Sequence, residues 1–398
     1  MFDDNIVSIA CGRVTYNPNI LPPSPEWRPL FLGDDEGFDP LALKLELINR
    51  GIRGLEYGEP THLELEKKPH KLTVKVSAEK RIGFISPFNI QIIDGVQKLC
   101  YFDTPVADVL SQLKTVVLDE ATPKGVPLKD ICEIEDKTLR VRHCVGCEYV
   151  RRKAGCSYCK YTKEDFKMCG FDDNDIEYAL KKYQEAKDSE EIAFDRIVIG
   201  GGCIVDPHDK VVKSVIDVAE VVRRVFGKEI PVILACPPPT MQTDMDIYRD
   251  NGITGIVISV EVFDPPKSAE YLPGKDRVPL SAFYYTLKHA VSIWGGENVF
   301  SNLIAGLEDP STTREGCGHI ASTGARPVIA PFRPIAGTLL KDLMPLPAEE
   351  LYKLCKKVFD DYSQFHKNLG SIDMKRFPET VVMPAEETDD KKSQGAGQ

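Results

Sequence analysis

The sequence predicts an α/β protein: a partial (β/α)6 TIM-type barrel, preceded by an N-terminal α+β region and followed by a C-terminal helix. Three observations carry this. From Thr138 to Thr338 short β-branched runs alternate with stretches of helical apolar spacing, the pattern of parallel strands joined by right-handed crossovers. Six such units at about 30 residues each need about 180 residues, whereas a full eight-unit barrel takes about 250. Before Thr138 the pattern is mixed, with period-two runs and turn residues but no regular alternation of strand and helix. The expected boundaries are 1–135 for the α+β region, 136–340 for the barrel, 341–385 for a helical extension and 386–398 for a polar, disordered tail.

Taken in order, Asp39-Pro40 opens a helix carried by Leu41, Leu45 and Ile48 and closed by Gly51. Leu72, Val74 and Val76 alternate as a strand. Ile90 to Phe102 reads as a hairpin around Asp94-Gly95, a pair suited to a type I′ turn. Ala107 to Leu113 has the spacing of a short helix. The barrel strands are expected at Thr138–His143, Phe194–Ile199, Pro231–Cys236, Ile256–Val260, Val299–Ile304 and Arg326–Phe332. Between them come a helix capped by Asp172 with Ile176, Leu180 and Tyr183 on one face, and one with Val212, Val215, Ile216, Ala219 and Val222 in register. Further helices span Met241 to Arg249 and Ser281 to Ile293, and Leu351, Cys355, Val358, Phe359 and Tyr362 form the last.

The 398 residues are 42% hydrophobic and 28% charged, ordinary for a globular chain. No apolar run approaches the ~20 residues of a membrane span, and the start Met1-Phe-Asp-Asp lacks the positive charge of a secretory signal. These features point to the cytoplasm. A formal net charge of −11 argues against a nucleic-acid partner gripped through phosphates and toward a small-molecule substrate.

Five of the twelve cysteines (Cys144, Cys147, Cys156, Cys159 and Cys169) fall within 26 residues. In a reducing compartment such clustering indicates metal rather than a disulfide framework. The spacing fits two chemistries: four thiolates closing a tetrahedral zinc site, or three holding a [4Fe-4S] cluster with one iron left open. Position favours the second, because the segment follows the C-terminal end of the first barrel strand, where barrel enzymes place their chemistry.

With that placement the segment Cys147-Glu-Tyr-Val-Arg-Arg-Lys-Ala-Gly-Cys156-Ser-Tyr158-Cys159 resembles the cluster loop of the radical S-adenosylmethionine (SAM) superfamily, with a biotin synthase-like barrel. The two-residue half and the aromatic Tyr158 match that family's loop; the first spacing, eight residues instead of three, departs from it. Gly200, Gly201 and Gly202 after the second strand resemble the turn whose backbone meets the SAM amino group, although the family often has an acid at the third place. Glu261 at the end of the fourth strand resembles the ribose position, and Lys275 or Arg277 would pair with the SAM carboxylate. Gly306 resembles the end of the strand beside adenine, and Pro331 opens a Pro-rich ending like that of biotin synthase-like members. The long cysteine spacing, Pro273-Gly-Lys275, the strand to Gly306 and the run from Pro331 to Thr338 are similar to radical SAM proteins encoded beside nitrilases. Gly58-Glu-Pro-Thr-His62 matches a segment of that family, but only Cys355 stands where it carries a further cysteine-rich segment.

The resemblance implies a [4Fe-4S] cluster on Cys147, Cys156 and Cys159, with Cys144 as reserve for Cys147. It also implies SAM, its cleavage to methionine and a 5′-deoxyadenosyl radical, and a flavodoxin- or ferredoxin-type electron donor. Cys203 and Cys317 read as buried inert thiols, with hydrogen donation to a radical as the alternative; His143 reads as a satisfied strand-end histidine, and Cys169 could form an auxiliary site with Cys144. Two other classes stay open: a zinc-stabilised α/β barrel enzyme such as an aldolase-type lyase, and an iron-sulfur scaffold protein without radical chemistry.

Overall fold

A computed structural model describes residues 9–10, 13–14, 26–32, 38–53, 61–76, 86–114, 116–135, 137–162, 169–205, 207–239, 241–335, 337–365 and 380–383. Gly58 of the Gly58–His62 motif, Cys11 and the tail 386–398 lie outside these residues.

The strands Thr138–Val145, Arg196–Gly201, Val232–Ala235, Gly255–Val257, Val299–Ala305 and Arg326–Pro331 pair in parallel, in that order. All six of the strands expected from sequence are present. In the inner strands the apolar residues are buried almost without break, as in Val232 to Leu234 or Leu303 to Ala305, because helices cover the sheet. Helices Asp173–Asp188, His208–Phe226, Thr243–Asp250, Leu280–Trp294 and Pro310–Ser322 lie between successive strands. The fourth strand is shorter than expected, and Glu261 returns to the fifth strand only as an isolated bridge to Leu303. Antiparallel strands flank the parallel set: Cys132–Glu135 and Cys169–Gly170 pair with the first strand, and Val381–Val382 with the sixth.

Before this sheet stands an antiparallel one, ordered His70–Val76, Thr61–Lys67, Thr104–Lys114, Val96–Tyr101, Phe88–Ile93. The hairpin turns at Asp94 (φ 51°) and Gly95 (φ 79°), the left-handed pair that a type I′ turn requires. The expected helix at Ala107–Leu113 is not formed; that stretch lies within Thr104–Lys114, the central strand of the sheet.

Helix Pro40–Arg50 joins the two parts. Its buried residues Leu41, Leu45 and Ile48 belong to one continuous core with the parallel sheet. Asp39 caps it by accepting from Leu41 N at 2.8 Å, and its other oxygen accepts from Tyr352 Oη at 2.7 Å. Tyr352 lies on the C-terminal helix Ala348–Phe365, so one carboxylate serves both the cap and the junction. Asp39→Ala is expected to cost about 1–2 kcal/mol, read as a lower urea midpoint. Asp39→Asn, which keeps an acceptor, should recover most of it.

Candidate metal centre

The first parallel strand ends in Cys144 and Val145, and the chain turns at Gly146 (φ 86°) into Cys147, which precedes the short helix Glu148–Arg151. Cys156, Tyr158 and Cys159 follow on a turn pinned by Ser157 N to Tyr271 O (2.8 Å) and Cys159 N to Cys156 O (3.0 Å). Leu340 N reaches Ser157 O at 3.3 Å, so the segment after the sixth strand lies over this turn. All three cysteines are half-buried, whereas Cys144 is fully buried.

Burial pushes the Cys156 thiol up to about 11, opposed chiefly by the cation of Lys275; Cys159 is raised for the same reason. Cys147 goes the other way, down to about 5, because Cys203 hydrogen-bonds it and the backbone N–H groups of Cys203, Val150 and Tyr149 face it. The Cys203 thiol is raised in return, chiefly by the same contact with Cys147 and by burial. Iron binding would displace the protons of Cys156 and Cys159.

Lys275 Nζ lies 2.9 Å from Glu261 Oε1, with side chains only 17% and 14% exposed. Burial opposes the charge on Lys275, but the Glu261 carboxylate, the leading opposing cause, raises the ammonium above the usual lysine range. Tyr158 bonds to the same carboxylate, and burial raises its hydroxyl well above the phenol range. Glu261 takes a left-handed backbone (φ 70°), uncommon for a non-glycine residue and often a mark of a functional position. Glu261 and Lys275 therefore face one another beside Tyr158 and the cysteines. Arg277, the other cation considered from sequence, is exposed.

The second strand runs into Gly200, Gly201 and Gly202: Gly200 lies against Ala235, Gly201 against Cys144, and Gly202 against Gly146 and Cys147. A Cβ at Gly202 would sit 1.4 Å from Gly146 O and 3.1 Å from Cys147 Cα. That contact gives a physical reason for the missing acid: no side chain fits there. Gly274, just before Lys275, closes on the loop from the other side, where a Cβ would lie 2.3 Å from the Tyr149 ring and 2.5 Å from Ala154 O. Gly306 (φ 107°) ends the fifth strand beside Phe332, and Pro331 is buried at the end of the sixth, opposite Ala305.

The buried Glu148 was not singled out from sequence. It accepts from Arg151 (2.7 Å), Arg152 (3.0 Å) and Val205 N (2.7 Å), tying the cluster loop to the chain beyond the glycines. Its signal was an acid at the first position of a helical turn with arginines three and four residues on. Cys144 is turned aside, its thiol donating to Gly202 O at 3.2 Å. His143 is a neutral strand-end residue, pushed down to about 4 by burial, with Ser214 Oγ 3.3 Å from Nδ1. Cys317 is fully buried in the core, as an inert thiol should be.

Among the described residues no three His, Cys, Asp or Glu side chains gather closely enough to hold one metal ion. Thiolates of a cubane bind different irons and stand farther apart than ligands of a single ion. Half-buried thiols from one loop, a half-buried cation beside them and a side-chain-free backbone cradle fit a cluster and a small anionic ligand.

No protein-family model matches the chain, nor does any curated protein. Its fold is similar to parts of several solved structures. A radical SAM methyltransferase from Sphaerobacter thermophilus is 12% identical over 71% of this chain and 76% of that one, with a TM-score of 0.46. Coproporphyrinogen III oxidase (HemN) from Escherichia coli, a radical SAM enzyme, is 13% identical over 61% and 55%, at 0.39. The FeFe-hydrogenase maturase HydG from Carboxydothermus hydrogenoformans is 17% identical over 46% and 40%, at 0.37. This chain thus spans about two fifths of that maturase's length. Among the described residues no helix is long and apolar enough to cross a membrane.

Proposed function

We propose that this protein is a radical SAM enzyme acting on a small molecule, with a [4Fe-4S] cluster held by Cys147, Cys156 and Cys159. The observation that carries the reading is the grouping of these thiols at the C-terminal edge of the parallel sheet, next to the half-buried Lys275–Glu261 pair. In this reading the six parallel strands curve as a partial barrel over 136–340, the antiparallel region before them shapes the approach to its mouth, and the work is done in the cytoplasm. Bound and reduced, such a cluster supplies cleavage of SAM to methionine and a 5′-deoxyadenosyl radical, which takes a hydrogen atom from a substrate carbon.

The chain's own residues bind and orient. Lys275 offers its ammonium to the SAM carboxylate, and Glu261 offers its carboxylate to the ribose hydroxyls. The backbone from Gly200 to Gly202 meets the amino group, and Gly306 and Pro331 leave room for adenine. Leu340 and the apolar side chains around Tyr158 exclude water. The cluster loop exposes Arg151, Arg152, Lys153 and Lys160, which in a chain of net charge −11 suits an anionic flavodoxin- or ferredoxin-type donor.

Anaerobic reconstitution with iron and sulfide is expected to load about four irons per chain. Dithionite and SAM should then yield 5′-deoxyadenosine, and SAM should change the electron paramagnetic resonance spectrum of the reduced protein. One zinc and no iron would favour the zinc-stabilised lyase; iron with a spectrum indifferent to SAM would favour a scaffold.

A further inference from the structure

Resting on the reading above, we propose that Asp244 and His208 form a proton-transfer dyad: His208 Nδ1 accepts a proton from a hydroxyl or ammonium group of the substrate. His208 Nε2 lies 3.0 Å from both oxygens of Asp244. His208 opens the helix after the second parallel strand, and Asp244 lies in the first turn of the helix after the third. Both therefore stand at the C-terminal edge of the sheet, where the cysteines gather. Cys236, just past the third strand, feels both Asp244 and Lys275, so the dyad and the proposed SAM cation share a neighbour.

The Asp244 side chain is 3% exposed, and Oδ2 also accepts from Met241 N at 3.1 Å, which fixes the carboxylate. A carboxylate only accepts, so Nε2 carries a hydrogen and Nδ1 of the neutral ring keeps the lone pair. Asp209 Oδ1 lies 3.4 Å from Nδ1, on a fully exposed carboxylate that has no hydrogen to give. The Cys236 thiol and the Tyr248 hydroxyl, which also feel Asp244, are pushed up by burial and stay neutral. A mere clasp between helices would not choose this arrangement. Histidinium at the first residue of a 19-residue helix meets the positive end of the helix dipole. Asp244, in contrast, already has its own helix N-terminus and Met241 N to hold its charge. The pair has the form that fixes a tautomer and supports an imidazolium as it forms.

Once a hydrogen atom leaves a carbon beside a hydroxyl or ammonium group, the O–H or N–H bond there becomes far more acidic. That bond then breaks with its electron pair left on oxygen or nitrogen, and the proton passes to Nδ1. Asp244 holds the imidazolium until water takes the proton away. The substrate class follows: a small molecule with a hydroxyl or amino group next to the reacting carbon.

The test uses reconstituted full-length wild type, His208→Gln and Asp244→Asn, with dithionite, SAM and the small-molecule filtrate of a lysate of the source cells. Iron content and the SAM-induced change in the electron paramagnetic resonance spectrum are read first and should match in all three. The rate followed is that of 5′-deoxyadenosine formation above the filtrate-free level, across the neutral pH range. In wild type it should rise with pH as His208 loses its proton, then level off. His208→Gln should be about 100-fold slower on the plateau, without that rise. Asp244 holds the histidine above its ordinary range, so in Asp244→Asn the rise should move to lower pH, beneath a reduced plateau. A purely structural pair would not move it. A glutamine variant at the wild-type plateau, or an asparagine variant whose rise coincides with the wild-type one, overturns the inference. If His208→Gln does not fold, His208→Asn, better suited to a helix start, takes its place. Wild type that cleaves SAM but ignores the filtrate overturns the inference together with the small-molecule substrate. Wild type that takes up no iron sinks the reading of the metal centre itself.

Discussion

Cys147→Ala, Cys156→Ala and Cys159→Ala are each expected to emerge from anaerobic reconstitution with little iron and no 5′-deoxyadenosine above background, whereas Cys144→Ala should keep both. The contrast follows from where the four thiols point. Cys156 and Cys159 feel each other and Cys147 electrostatically, and Lys275 opposes the burial penalty on both. Cys144 is engaged elsewhere. Its thiol is spent on the Gly202 carbonyl and its side chain is fully buried. Removing one thiolate from three leaves an iron without its protein ligand, and cubane clusters held by fewer cysteines are not expected to persist. Removing Cys144 loses the hydrogen bond to Gly202 O and a small buried volume, on the order of 1 kcal/mol, which a folded chain of this size can absorb. Full iron in Cys147→Ala, together with loss in Cys144→Ala, would exchange the roles of the two residues.

How much of this was legible beforehand depended on whether local spacing and tertiary pairing agreed. The inner parallel strands were legible because burial on both faces demands a short unbroken apolar run such as Val232-Ile-Leu234, while the first two show period-two alternation, as with Leu139 and Val141 buried between half-exposed neighbours. The capped helix at Asp39-Pro40 was legible for the same reason: its signal is local. Thr104–Lys114 was not. Its ladders shift register beside Glu64 and again beside Leu99, so adjacent residues Val106 and Ala107 are both buried while Leu110 is exposed. Those bulges break the period-two alternation and leave apolar residues at spacings that mimic a helix. Only pairing with two neighbours, supplied from elsewhere in the chain, decides the matter.

The site divides in the same way. Cys156, Tyr158 and Cys159 stand close in sequence and the turn they form is local. The pairing of Glu261 with Lys275 joins residues fourteen apart across a helix, and spacing alone assigned each to a ligand without showing that they neutralise one another. Cys203 and Cys147 are still more remote, brought together only because the first and second strands are neighbours in the sheet. Chemistry carried within one turn can be read from a sequence; chemistry assembled across a sheet edge needs the fold.

The glycine triplet offers the sharpest contrast between neighbouring positions. Gly202→Ala is expected to lower the unfolding midpoint of the cluster-free protein by an amount corresponding to about 3 kcal/mol, the upper end for overpacking, and to reduce iron uptake severely. Gly200→Ala should leave both nearly unchanged. At Gly200 a Cβ would lie 3.6 Å from Ala235 Cβ, an ordinary contact. At Gly202 it would overlap Gly146 O at 1.4 Å, and the obstacle is backbone, which cannot rotate away as a side chain can. Relief requires the Gly146–Cys147 peptide to retreat, which drags Cys147 off Cys203 and away from Cys156. Stability and metal binding should therefore fail together at Gly202, because one close backbone approach both packs the sheet edge and sets the first thiol. A Gly202→Ala protein with wild-type midpoint and iron content would mean that the loop reaches its ligand geometry by some route other than this contact.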